Sequence, residues 1–161
     1  MVASNKIEAI KKEIAILAYD SKSSTTLMTG IVELLQSRLL KYNWVGFYML
    51  SPNSDPPMLV LGPYKGAMTP HTHIPLNQGI CGAAASTGKT VVVDDVSKDP
   101  RYLACSLETK SEIVAPIFAG GKVVGELDID SHFLSAFKDE DRELTEYCAA
   151  TVGKFVERRP S

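Results

Sequence analysis

Long apolar runs are missing from this chain of 161 residues, and none approaches the ~20 residues that cross a bilayer. A dominant charge sign is missing too. Lys plus Arg total 17 and Asp plus Glu 19, for a net charge of −2. That balance argues against nucleic-acid binding through a basic surface. The N-terminus, MVASNKIEAIKKEIA, alternates charged with apolar residues and lacks the apolar core of a signal peptide. There is no CxxC or HExxH metal framework, no phosphate loop and no G-x-S-x-G nucleophile elbow. Cysteine is scarce and odd in number, at three. A disulfide scaffold is a poor reading of that count, which leaves buried thiols, redox chemistry or a metal site. The expectation is a soluble, cytoplasmic protein with one domain over 1–161 and with neither membrane nor nucleic acid as partner.

What is present is a globular composition, with 45% hydrophobic and 22% charged residues. Ile7, Ile10, Ile14 and Leu17 recur at helical spacing, as do Leu27, Ile31, Leu34, Leu35 and Leu39. The polar stretch Asp20 to Ser24 separates them, which predicts an antiparallel helix pair. Aromatic and β-branched residues then predict strands at Trp44–Leu50, Met58–Tyr64, Thr72–Leu76, Thr90–Val93, Glu112–Ala119 and Lys122–Ser131. Gly120-Gly121 is a hairpin turn between the last two. A small-residue helix follows Gly79-Ile80-Cys81-Gly82. Asp94 to Thr109 reads as an irregular loop with a helical turn. A closing helix begins near Lys138, with Asp139, Glu140 and Asp141 in its first turn and Leu144, Cys148, Val152 and Phe155 on its apolar stripe. The fold class expected is α+β: a central, mainly antiparallel sheet with N- and C-terminal helices packed on one face.

Three constellations could carry chemistry. In Glu126-Leu127-Asp128-Ile129-Asp130, strand alternation sends Leu127 and Ile129 one way and the three acids the other. Glu112, at the start of the hairpin partner, adds a fourth acid, and no lysine or arginine interrupts the run. Crowded acids raise one another's pKa, which points to binding, although a solvated outer sheet face is the commoner origin of such a pattern. Cys81 lies at a helix entrance, where the dipole lowers a thiol pKa, and Cys105 lies in the irregular loop. Cys148 reads as a core thiol. His71 and His73 share a strand face and, with Cys81, could hold a metal, but the missing framework weighs against it. His132 reads as a surface residue.

Five segments stand out together: Asn43-Trp44-Val45-Gly46-Phe47-Tyr48, Leu61-Gly62-Pro63-Tyr64-Lys65-Gly66, Ile74-Pro75 followed by Gly79-Ile80-Cys81-Gly82, Ser111-Glu112-Ile113-Val114-Ala115-Pro116, and Gly125-Glu126-Leu127-Asp128-Ile129-Asp130-Ser131. Each is weak alone. In this order and spacing, over nearly the whole chain, they strongly resemble the GAF-domain free methionine-R-sulfoxide reductase family. The resemblance implies a GAF fold and reduction of free L-methionine-(R)-sulfoxide to methionine, ending in an enzyme disulfide. It implies Cys105 as catalytic cysteine and Cys81 as resolving cysteine. It also implies Glu112, Asp128 and Asp130 as substrate-binding acids, with Trp44 and Tyr48 shaping the pocket. No cofactor or metal is implied; the partners are the free sulfoxide and a thioredoxin-like reductant. Related single GAF domains often pair through their helices, so a homodimer is among the expected states. Family members commonly carry another cysteine ten residues before Cys81, where this chain has His71. The alternative reading is a non-catalytic GAF module that binds a small ligand and acts through a partner.

Overall fold

The two N-terminal stripes fold as helices that bury their apolar sides. The first, α1, spans Val2–Asp20 and the second, α2, spans Ser24–Arg38 in the computed structural model, which describes residues 2–51, 53–103 and 107–158. Ser23 starts α2 as an N-cap, its side chain accepting from the Thr26 N–H at 3.1 Å and so satisfying one otherwise unpaired donor. Ile10, Ile14, Leu27, Ile31 and Leu35 are fully buried.

The strands are β1 (Trp44–Ser51), β2 (Met58–Lys65), β3 (His73–Pro75), β4 (Val91–Val93), β5 (Ser111–Ala119) and β6 (Lys122–Ser131). Helix α3 (Gly79–Thr87) falls between β3 and β4, and α4 (Asp139–Arg158) closes the chain. A single 3-10 turn at Val96–Lys98 is the helical turn expected in the long loop. The six strands form one sheet in the order β3-β2-β1-β6-β5-β4, with antiparallel pairing throughout. This is the α+β architecture read from the sequence. The hairpin turn carries Gly120 and Gly121 at φ of 59° and 77°, which side chains other than glycine adopt only with strain.

Strand alternation divides the sheet into two unlike faces. Val45, Phe47, Ile113, Ala115, Ile117, Leu127 and Ile129 point to the face covered by α1, α2 and α4, where they meet Ile14, Leu35, Leu144, Cys148 and Val152. Trp44, Tyr48, Val93 and Val114 point to the other face, against Ile80, Cys81, Ala84 and Ala85 of α3. The long helices lie on one face, as expected. The short α3 caps the other, and this cover decides the character of the site.

Asp141, read from sequence as one of three acids favoured by the helix dipole, is 2% exposed. Its Oδ2 accepts from the Lys138 N–H at 2.9 Å and from Lys41 Nζ at 3.0 Å, and its Oδ1 accepts from the Tyr42 hydroxyl at 2.6 Å. Burial and this carboxylate push the Tyr42 hydroxyl far above its ordinary pKa, so it remains a donor. One side chain therefore caps α4 and ties it to the segment entering β1. Asp141→Ala is expected to lower unfolding free energy by about 2–3 kcal/mol, because the cap is lost and a buried hydroxyl loses its acceptor. Tyr42→Phe is expected to cost about 1 kcal/mol. Urea denaturation of both variants checks the order.

Candidate active site: a covered row of acids

On β6 the side chains of Glu126, Asp128 and Asp130 all face α3, and their exposures are 0%, 3% and 3%. Glu112, on β5 opposite Asp130, is also buried. The reading of a solvated outer face is thereby overturned: α3 and its flanking loops shut this face from water. On the other side of β6, Trp44, Gly46 and Tyr48 of β1 stand opposite Asp130, Asp128 and Glu126. Aromatic side chains thus border the acids on one strand and Glu112 joins them on the other.

Gly46 makes room for this arrangement. A Cβ there would run into the Trp44 ring and would lie 2.9 Å from Tyr64 Cβ. Trp44 stacks on Tyr64 with ring centroids 5.6 Å apart, and its Nε1 donates to the Ala67 carbonyl at 3.0 Å. The Tyr48 hydroxyl donates to the His71 carbonyl at 2.8 Å. Both rings are thus held at their polar ends.

Cys81 arrives from above, in the first turn of α3. Gly82 beside it sits so close to the chain leaving β3 that a Cβ would meet the Leu76 and Pro75 carbonyls at 2.8 and 3.0 Å. The Cys81 thiol donates to Asp128 Oδ2 at 3.5 Å. Ligand atoms of Cys81, Glu112 and Asp128 lie within 4.8 Å of one another. They line a cavity of about 20 Å³ whose walls also include Tyr48, His71 and Leu103. A second recess, of about 170 Å³, is lined by Trp44, Asp130 and His132. Open grooves of about 570 and 610 Å³ elsewhere contain neither a cysteine nor any of the four acids, so chemistry and not size marks the site.

The electrostatics follow from burial. Desolvation raises the pKa of Glu112, and Asp128 and Asp130 raise it further. Desolvation likewise raises Glu126 and Asp130, with Asp128 adding to both. Asp128 is raised by desolvation against the hydrogen bonds it receives from Glu112 and Cys81. Among the described residues, no ion pair reaches any of the four. Asp128 Oδ1, Asp130 Oδ1 and both Glu126 oxygens have no hydrogen-bond partner there. The expectation for Cys81 is corrected on the same grounds. Its thiol lies well above the ordinary value, first through burial and then through Asp128, Glu126 and Glu112, which together outweigh the helix N-terminus.

The structure therefore gathers Cys81, Glu112, Asp128 and Tyr48 around one cavity, and Trp44 and Asp130 around its neighbour. Cys105 lies outside the described residues. His71 lines the cavity, but His73 is exposed, its Nδ1 3.1 Å from Thr72 Oγ1, so the His71/His73/Cys81 grouping does not form. His132 is part-exposed, with Nδ1 3.6 Å from Glu108. Cys148 is a buried core thiol, as read. Glu126 was visible on the acid face but received no role; its signal was an acid run without a compensating cation.

Residues 24–155 match the GAF domain family, and the chain belongs to it. Relatives narrow the assignment. The free methionine-R-sulfoxide reductase of Escherichia coli is 35% identical over 142 residues, which cover 88% of this chain and 82% of that protein. A structure of free methionine-R-sulfoxide reductase from Neisseria meningitidis in complex with its substrate superposes with a TM-score of 0.88 at 32% identity, covering 96% of this chain and 92% of that one. The reduced form of fRMsr of Staphylococcus aureus gives a TM-score of 0.85 at 37% identity, covering 93% and 94%. Within the GAF domains, the chain belongs to the free methionine-R-sulfoxide reductase family, and it is an oxidoreductase.

Two predictions follow from the site's packing and charge. Gly46→Ala is expected to displace the Trp44 ring and to cost about 1–3 kcal/mol. Trp44 is the only tryptophan in the chain, so its emission reports the displacement directly. The second concerns pH. The four carboxyls hold protons more tightly folded than unfolded. Their contribution to stability is complete below the unfolded values of about 4 and is lost as pH rises through the raised folded values. Glu126→Gln removes one such group, so its urea midpoint is expected to fall less steeply than wild type as pH rises above the ordinary carboxyl value of about 4.

Proposed function

We propose that the chain reduces free L-methionine-(R)-sulfoxide to L-methionine through a sulfenic acid and a disulfide, and is recycled by a thioredoxin-like dithiol. The observation that carries this reading is the Cys81 thiol 3.5 Å from Asp128 in a cavity walled by Glu112 and Tyr48. The families named above supply the reaction class. In the N. meningitidis complex the protein holds its substrate, and the same fold is present here.

The burial of Cys81 favours a division of labour between thiols. With its pKa raised, Cys81 is protonated at neutral pH and is a poor first nucleophile. It suits the second step. The Cys105 thiolate attacks the sulfoxide sulfur, and the S–O bond breaks as its oxygen gains a proton. The released hydroxide then adds to the Cys105 sulfur as the bond between that sulfur and the substrate sulfur breaks, so methionine leaves with that electron pair and Cys105 becomes a sulfenic acid. Cys81 then attacks the sulfenic sulfur, its proton and the hydroxyl leaving as water, and a disulfide remains. The external dithiol reduces that disulfide and is itself oxidised.

The raised carboxyls supply what the sulfoxide oxygen requires. An acid still protonated near neutral pH donates in the transition state, where an ordinary carboxyl is already ionised. Those that ionise hold the substrate ammonium through charge-assisted hydrogen bonds. A peptide-bound methionine lacks that ammonium, which favours the free amino acid. The small cavity and the Trp44 recess lie along one row of acids, and joined they make an elongated pocket for side chain and ammonium. The same acids oppose a nucleotide ligand, whose phosphates would face like charge.

Purified protein with methionine-R-sulfoxide and a thioredoxin system should consume NADPH. Cys105→Ser is expected to abolish turnover, and normal turnover in that variant would sink the proposed nucleophile. Cys81→Ser should complete one turnover and then stall; recycling at the wild-type rate would assign resolution to another thiol. Asp128→Asn should lower kcat/KM by about ten- to a hundredfold, the scale of a lost charged hydrogen bond.

A further inference from the structure

We propose that Cys81, Glu112 and Asp128 form a binding site for one thiophilic divalent cation of the zinc class, built into the closed end of the pocket. The three come from three different elements, α3, β5 and β6, and all are buried. Their ligand atoms lie within 4.8 Å of one another, and Cys81 Sγ is 3.5 Å from Asp128 Oδ2. Around a tetrahedral zinc, with Zn–S about 2.3 Å and Zn–O about 2.0 Å, neighbouring sulfur and oxygen ligands stand about 3.5 Å apart. Little closure is needed at that edge.

A cluster of this kind is not a site by itself, and two further observations point to a cation. The first is the cavity the three line, whose volume of about 20 Å³ is on the scale of a single ion or water. The second is an orphaned oxygen on a cavity-lining side chain: Asp128 Oδ1 is buried without a hydrogen-bond partner among the described residues. Positive charge at the cavity would satisfy what hydrogen bonds leave unmet. A thiolate beside two carboxylates selects zinc, cobalt or cadmium over magnesium and calcium, which prefer oxygen ligands and larger coordination shells. Three protein ligands leave a fourth position for water.

Binding must displace protons, because Cys81 coordinates as a thiolate. Those protons pass to solvent, so affinity rises with pH. Bound metal also occupies the sulfur that the proposed cycle uses as its resolving thiol. Metal binding and turnover therefore exclude each other, and a Cys81 disulfide abolishes the site. This consequence rests on the proposed function; the binding itself does not.

The test is a cobalt titration of reduced, metal-free, full-length protein. A near-ultraviolet sulfur-to-cobalt band with tetrahedral visible bands should saturate at one ion per chain and vanish when zinc is added. Cys105→Ser should retain the band and Cys81→Ser should lose it, while Asp128→Asn should bind at least about tenfold more weakly. No sulfur band in the wild-type protein overturns the proposal regardless of how any variant folds. So does a band that survives Cys81→Ser. Zinc should also suppress sulfoxide turnover reversibly, with recovery on chelation; full turnover at saturating zinc overturns the shared-sulfur part. A protein inactive without metal but giving the cobalt band would refute the reductase reading and support the metal site, which separates the two failures.

Discussion

Desolvation of four carboxyl groups on one sheet face is the constraint on which the rest of this structure depends. Each such group is costly to bury, and here no basic side chain compensates them among the described residues. The protein tolerates them because most of its apolar burial is on the other face, where three helices and two strand hairpins enclose Phe47, Ile113, Leu127 and Ile129. The raised pKa of each acid and the raised pKa of Cys81 are consequences of the same exclusion of water.

That exclusion also organises the chemistry. A thiol beside acids in water would titrate near its ordinary value, and the acids would be ionised and solvated. Covered by α3, the acids have raised pKa values and the thiol is held as a donor to Asp128. Tyr48 borders the cavity under α3 and Trp44 the recess beside Asp130, and each ring is fixed by a hydrogen bond to a backbone carbonyl.

The elements were largely legible in the sequence. Period-two alternation in Glu126–Asp130 correctly divided core residues from acids, and the stripes of α1, α2 and α4 placed the long helices on one face. Alternation says which side a residue faces, not what covers it. The cover is α3, whose run of alanines carries almost no amphipathic pattern, and so the burial of the acids was not readable. The Cys81 thiol was misjudged for the same reason. Its local signal, a helix N-terminus, predicts a lowered pKa, whereas the decisive neighbours come from strands more than thirty residues away in sequence. Asp141 shows the complementary failure: its helix-end position was clear, but its bonds to Lys41 and Tyr42 join segments about a hundred residues apart.

The strand order has a mechanical consequence. β6 lies inside the sheet, hydrogen-bonded to β1 along one edge and to β5 along the other. The backbone beneath Glu126, Asp128 and Asp130 is therefore a rigid floor. The roof is different in kind: a nine-residue helix leaning on carbonyls at the end of a three-residue strand, with Leu103 packed over Gly79. Any adjustment of the pocket to an occupant of a different size has to come from the roof. A change of occupant can then be accommodated by repacking α3 without disturbing the charges below it.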